Sequence, residues 1–341
     1  MANSKNLRLK RIWRRAKLMH ILGRLLSIIV VLVLAVLLLL HRMFLGPSSD
    51  VCEMLTMSLT ETSALKFVPY LYMSSDAVNN IIQNSRLIEP DTETDTSLIT
   101  ISAEEVGSTD DEQDIELIYI TGSSYKAYLM IVKDPSRVFV GVGDETFSSG
   151  GRYLDYIISK YDAVAGINAN GFMDDNGLGN GGVPKGLVIS EGKLLSSSNT
   201  EYTCAGFDSN NILHVGKFTN AEAKELGLRD AVAWGPALVV NGEPVEQGSV
   251  STGLNPRTAI GQRADGAVLL LVVDGRHASS LGATYADLID IMLEYGAVNA
   301  CNLDGGSSSC MYLNGERINS ITPITGTRGI PCAVLVKEAA E

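Results

Sequence analysis

Histidine is scarce in this chain of 341 residues, and two of its four histidines, His20 and His41, lie in the basic amino-terminal stretch. That leaves His214 and His277 for chemistry, too few for a His-rich zinc site. The five cysteines, Cys52, Cys204, Cys301, Cys310 and Cys332, contain no CxxC pair, which excludes a redox motif or a zinc ribbon. Their number is odd and their spacing wide, so single buried thiols are expected rather than a disulfide framework. Neither GxGxxG nor a P-loop string occurs, so a nucleotide fold has no support. Gly305-Gly306-Ser307-Ser308-Ser309 fails the GxSxG pattern at its last position, which disfavours a serine hydrolase. No internal repeat of fixed period is visible.

Acidic side chains are missing altogether from residues 1–49, which carry nine Lys and Arg. The remainder holds 18 basic against 39 acidic residues, so the body carries about −21. An acidic body lacks the clustered Lys and Arg that phosphate-backbone binding needs, and nucleic acid is not an expected partner. The basic residues Lys5 to Lys17 precede an apolar run from Leu25 to Leu40 broken only by Ser27. With Ile21 and Leu22 included and Arg24 snorkelling, the run reaches the length of about twenty residues that a bilayer span requires. The positive-inside bias puts residues 1–20 in the cytoplasm and the body outside, and no small-x-small cleavage site follows. The expectation is a single-pass protein of the cell membrane, with a basic cytoplasmic tail at 1–20, an uncleaved anchor at 21–45 and an extracellular carboxy-terminal domain.

Residues 46–88 read as a helical, moderately apolar membrane-proximal segment, with Ser75-Asp76 capping a stretch through Ile82. Residues 89–114 are rich in acids, Ser and Thr and contain no Lys or Arg, the composition of a solvated linker. From Ile115 the pattern changes to short strands separated by turn signals. Ile115–Thr121, Tyr125–Val132 and Arg137–Val142 form one series; Glu191-Gly192, Ala264-Asp265-Gly266 and Asn314-Gly315-Glu316 each sit between two apolar stretches as hairpin turns. Helical spacing appears over Arg152–Tyr161, Asn220–Leu226 and Tyr285–Tyr295, the last capped by Thr284 with Asp287 three residues on. This predicts an α+β domain over 115–341, a mixed and largely antiparallel sheet with flanking helices.

Four polar clusters stand at the ends of apolar strands. They are Asn168-Ala169-Asn170, which opens a glycine-rich loop running to Gly186; Asn255-Pro256-Arg257-Thr258; Asp274-Gly275-Arg276; and Asn302-Leu303-Asp304-Gly305-Gly306-Ser307. Arg257 and Arg276 suit bidentate capture of a phosphate. Gly305 and Gly306 let the backbone approach an anion closely, with Ser307 beside them. Asp274 and Asp304 offer the carboxylate pair of glycoside cleavage, and Asn168, Asn170 and Asn302 offer neutral partners for sugar hydroxyls. Each has a plainer explanation: Asp-Gly after a strand is commonly a turn, a serine run a loop, and an Arg after Pro a surface pair. Four apolar strands all ending in Asn, Asp or Arg are harder to explain by packing alone. No metal-ligand spacing is present; an acidic pocket could hold Ca²⁺ through oxygen ligands, but no EF-type spacing supports it.

At these clusters the sequence resembles the phosphodiester glycosidase family. The matching strings are Ile-Asn-Ala-Asn-Gly-Phe at 167–172, Pro-Lys-Gly-Leu-Val-Ile at 184–189, Asn-Pro-Arg-Thr-Ala-Ile-Gly at 255–261, Val-Val-Asp-Gly-Arg at 272–276 and Asn-Leu-Asp-Gly-Gly-Ser-Ser at 302–308. The likeness covers roughly 115–337. It implies a hydrolase that releases N-acetylglucosamine from a sugar-1-phosphodiester and leaves a phosphomonoester; no cofactor is expected, with a divalent cation left open. Asp304 and Asp274 would be its catalytic residues, and Arg257, Arg276, Asn168 and Asn302 would bind the substrate. With a membrane anchor, an envelope glycopolymer or exopolysaccharide is the natural phosphorylated glycan. The main alternative is a non-catalytic phosphoglycan-binding protein in exopolysaccharide assembly; a structural partner of a membrane complex using residues 50–116 is a third class.

Overall fold

A computed structural model describes residues 2–62, 64–101, 115–174, 179–322 and 326–339. Much of the acidic stretch at 102–114 and the tip of the glycine-rich loop at 175–178 therefore lie outside the described residues. Helix α1, Ala2–Leu45, contains 29 residues from Lys17 to Leu45 that are apolar enough to cross a bilayer, with an 18-residue window that lies unburied. At about 1.5 Å per residue, that part is long enough for the hydrocarbon layer. Helix α2, Ser49–Thr60, starts at Ser48, whose side chain accepts the Val51 N–H. Helix α3, Ser75–Asn84, is capped by Ser74 rather than by Ser75. Ser74 has the extended backbone that a cap requires, whereas Ser75 is already helical.

The body contains three sheets where the strand pattern predicted one, and every pairing among the described residues is antiparallel. The largest runs in spatial order Ile115–Thr121, Lys126–Val132, Val268–Val273, Arg257–Arg263, Ala297–Leu303, Ala237–Val240, Glu243–Pro244. Its interior strand Val268–Val273 is buried on both faces, and the two-residue period of a strand explains how. Val268, Leu270 and Val272 enter a core shared with the other two sheets. Leu269, Leu271 and Val273 pack against Leu288, Ile289, Ile291 and Met292 of the helix Tyr285–Glu294. That helix begins as expected, with Thr284 and Asp287 closing a reciprocal capping box.

Strand register decides where the polar clusters go. Arg257 opposes Val273 and Thr258 opposes Leu303, so Arg257, Asp274 and Asp304 leave the large sheet at one edge. In the second sheet Ile167 opposes Met311, which brings Asn168 to the same edge. Four clusters up to 136 residues apart in sequence thus converge through three antiparallel pairings; one such contact is the 2.5 Å hydrogen bond from Asn168 Nδ2 to the Asp304 carbonyl.

The segment before this body packs onto it. Ile88 pairs with Glu246, and the Glu89 carboxylate accepts the Ala237 N–H at 3.0 Å. Asn241 holds the backbone of Glu93 and Asp95, and the Thr100 N–H reaches the Ala264 carbonyl. Residues 88–101 are therefore a strap on the domain and not the solvated linker that their charge suggested. A carboxylate such as Glu89 can be drawn in wherever backbone donors await it.

Candidate active site

The converging strand ends line a cavity of about 330 Å³, walled among others by Glu61, Phe172, Asp174, Lys185, Trp234, Asn255, Arg257, Arg276, Asp304, Arg328 and the loop Gly305–Ser308. Its acidic end is Asp304. The N–H of Asp304 donates to Ala169, and its carbonyl accepts from Asn168, whose Oδ1 in turn accepts the Thr258 hydroxyl and the Cys310 N–H. Asn168 is fully buried and fixes the backbone from which the Asp304 side chain projects. Burial pushes the Asp304 carboxyl up to about 7, against the opposing pull of the Ser308 hydroxyl and the Arg328 guanidinium. Arg328 is held by Asp174 through two hydrogen bonds of 2.8 and 3.0 Å and lies over the Phe172 ring.

The basic end is Arg257 with Arg276. Arg257 is almost wholly buried: Nε donates to the Ala283 carbonyl, Nη2 to the Gly253 carbonyl, and the guanidinium stacks 4.2 Å from the centre of the Tyr285 ring. Arg276 has a left-handed backbone (φ +60°), a conformation that costs a non-glycine residue energy and occurs preferentially at functional sites. Its guanidinium donates to Asn255 Oδ1, and its proton affinity is lowered first by burial and then by the neighbouring Arg257 charge. Two guanidinium groups this deep require an anion. Glu61, just past the end of α2, supplies one: its Oε2 accepts from Arg257 Nη2 at 2.7 Å and from Asn255 Nδ2 at 2.8 Å, while Thr62 Oγ1 accepts from Arg276.

Gly306 also has a left-handed φ of +64°, and a side chain there would meet the Arg276 guanidinium. The Gly305-Gly306 turn does not act as an open anion nest. The Gly306 N–H donates to Pro256, and the Ser308 N–H to Gly305. Ser307 lines the cavity.

Asp274 is placed differently from the sequence-based expectation. It does not reach the cavity wall, and its carboxylate is buried and already satisfied. Oδ2 accepts the Tyr128 hydroxyl at 2.9 Å, and Oδ1 the Ser320 N–H at 3.0 Å and Asn319 Nδ2 at 3.3 Å. Asn170 and Asn302 are likewise buried supports. Asn170 joins the carbonyls of Lys185 and Leu187 to the Ala233 N–H. Asn302 donates to the Gly235 carbonyl, and its Oδ1 has no hydrogen-bond partner. Glu61, Asp174, Lys185, Trp234 and Arg328 join the cavity without having been expected there. Lys185 and Phe172 lie inside strings that matched the family, whereas nothing local marks Glu61. Among the described residues no three His, Cys, Asp or Glu side chains cluster to hold a metal, and all five cysteines are free thiols.

Residues 161–337 match the phosphodiester glycosidase family. The chain is 36% identical over 172 residues to the SPbeta prophage-derived protein YomE of Bacillus subtilis, an alignment covering 47% of this chain and 26% of that one. It is 29% identical over 155 residues to the N-acetylglucosamine-1-phosphodiester alpha-N-acetylglucosaminidase of Mus musculus, covering 38% of this chain and 29% of the mouse protein. The chain thus spans under a third of the length of either relative. The zebrafish N-acetylglucosamine-1-phosphodiester alpha-N-acetylglucosaminidase catalytic domain, auto-inhibited by its pro-peptide, superposes with a TM-score of 0.56 at 18% identity, covering 67% of this chain and 85% of that one. A hypothetical protein from Synechocystis gives 0.53 at 16% identity, covering 65% and 62%. These two structures share the fold. Over more than half of its length, this chain is a member of the phosphodiester glycosidase family.

Proposed function

We propose that the chain hydrolyses a sugar-1-phosphodiester between the anomeric carbon and its oxygen, releasing the sugar and leaving a phosphomonoester. The observation that carries this reading is the Glu61 carboxylate on Arg257: the chain's own acid occupies a place shaped for an anionic oxygen. In the working state phosphodiester oxygens replace Glu61 on Arg257 and Thr62 on Arg276, and the two guanidinium groups stabilise the charge developing on the departing phosphate. Asp304, whose proton affinity lies near neutrality, is suited to exchange a proton with the leaving oxygen or the attacking water. Asp274 holds Tyr128, Asn319 and Ser320 in place and supports the site from behind.

With Glu61 seated on Arg257, the chain's own carboxylate has to leave before a substrate anion binds there. The basic flank and apolar length of α1 favour a membrane anchor with the body outside, where an envelope glycopolymer would be the phosphorylated glycan. Incubating the full chain with N-acetylglucosamine-1-phosphodiesters tests the reading. Equal amounts of free sugar and phosphomonoester are expected, and roughly a hundredfold less, or lower still, with Asp304→Asn. Tight binding of the diester without turnover would favour the phosphoglycan-binding alternative.

A further inference from the structure

Beyond the pocket and α1, the described residues leave an apolar surface without a partner at 65–71. Residues 65–71 expose Leu65, Phe67, Tyr70 and Leu71; Leu71 is 70% and Phe67 56% accessible. In a body carrying about −21, residues 64–73 contain one lysine, Lys66, and no acid. Much of their main chain is paired locally. The Leu65 and Lys66 N–H groups donate to Thr62, Val68 to Leu65, Leu71 to Val68, and Tyr72 and Met73 to Pro69. Backbone with these groups already paired enters a bilayer interface at low cost.

The position of this surface identifies its occupant. Phe44, at the carboxy-terminal end of α1, is buried and stacks on Tyr72 with ring centres 4.7 Å apart and planes 12° apart. The end of the apolar helix is thereby fixed to the exposed segment, at the level where a spanning helix leaves the hydrocarbon. We infer that residues 65–71 are a bilayer-seating surface: Phe67, Leu65 and Leu71 enter the acyl boundary, Tyr70 lies at headgroup depth, and Lys66 reaches the phosphates. The inference rests on the proposed reading of α1 as a membrane span. One consequence concerns the pocket: Glu61 and Thr62 immediately precede this surface, so the arginine pair opens next to the membrane.

The test uses the full chain reconstituted in phosphatidylcholine vesicles, as Leu71→Trp and Phe67→Trp beside the parent protein. Both positions are exposed, so the ring is accommodated. Bromines on the acyl chains, about 5–10 Å below the headgroup boundary, report insertion at interfacial depth. Each variant should float with the vesicles, show blue-shifted emission, and lose a larger fraction of it to bromolipid than the parent does. A chain that does not float overturns the span and the seating surface together. One that floats while its new tryptophan is quenched by aqueous acrylamide and not by bromolipid overturns the seating surface alone. Protection from both quenchers would show a second copy covering the face, and would also overturn it. None of these readouts depends on hydrolysis.

Discussion

Two strand ends that look alike in sequence come to opposite uses. Val273-Asp274-Gly275 and Leu303-Asp304-Gly305 both place an aspartate after a wholly buried strand and before a glycine, at the same edge of the same sheet. Asp274 meets a phenol, a backbone N–H and a carboxamide that satisfy its oxygens. Asp304 projects into the cavity, where burial raises its proton affinity. A carboxylate with both oxygens engaged by protein donors is suited to a structural role, and one held in a cavity with its proton affinity near neutral is suited to chemistry. The motif fixes the position of the aspartate; residues far along the chain decide its role.

The sharpest way to break this contrast is exchange to asparagine. Asp304→Asn should reduce turnover on the order of 10²-fold or more while the melting temperature stays nearly unchanged, because asparagine keeps the local hydrogen bonds but exchanges no proton. Activity and thermal melts on the same preparation read both. Arg257→Lys should come next, with about tenfold weaker capture of the phosphodiester, as a point charge loses the fork that spans Ala283, Gly253 and the anion. Its signature is a raised KM. Asp274→Ala should act through folding. Leaving the Tyr128 hydroxyl and the Ser320 N–H unpaired costs about 1–3 kcal/mol each, read from denaturant midpoints, while the folded fraction retains its kcat.

pH sharpens the comparison further. The Asp304 carboxyl binds its proton more tightly folded than unfolded, so its stabilisation is complete at pH below the ordinary carboxylate range and disappears as pH rises through about 7. Denaturant midpoints should therefore fall between pH 4 and 8 in the parent, and less in Asp304→Asn. If Asp304 donates the proton, kcat/KM should also decline above about 7. The smallest effect is expected for Glu61→Gln, which removes the competing charge from Arg257. Phosphodiester KM should drop a few-fold, since a neutral amide competes less for the guanidinium than a carboxylate does. An unchanged KM would show that Glu61 leaves the pocket without opposing substrate.

Hairpins and caps were legible because their signals are local. Asn314-Gly315 turns between Met311–Leu313 and Glu316–Arg317, and Thr284 with Asp287 opens the helix that covers the sheet. The four clusters were legible as strand ends, and their convergence follows from register. What the sequence concealed is long-range. Glu61 reaches Arg257 across 196 positions with no pattern to announce it. Asp274 is satisfied by Ser320 from 46 positions away, and Glu89 finds its donor at Ala237 despite a composition that reads as solvated. Composition reports the average preference of a stretch for water, whereas a single carboxylate follows the donors that the fold presents.

Solvent isotope labelling tests the central claim most directly. Hydrolysis of a sugar-1-phosphodiester by the full chain in ¹⁸O-water breaks either the bond at the anomeric carbon or the bond at phosphorus. A glycosidase whose arginines hold the departing phosphate puts the heavy oxygen on carbon 1 of the released sugar and leaves the phosphomonoester unlabelled, which is the predicted result. Label in the phosphomonoester, with none gained by the sugar in the reaction, would show attack at phosphorus and contradict the assignment of Asp304, Arg257 and Arg276.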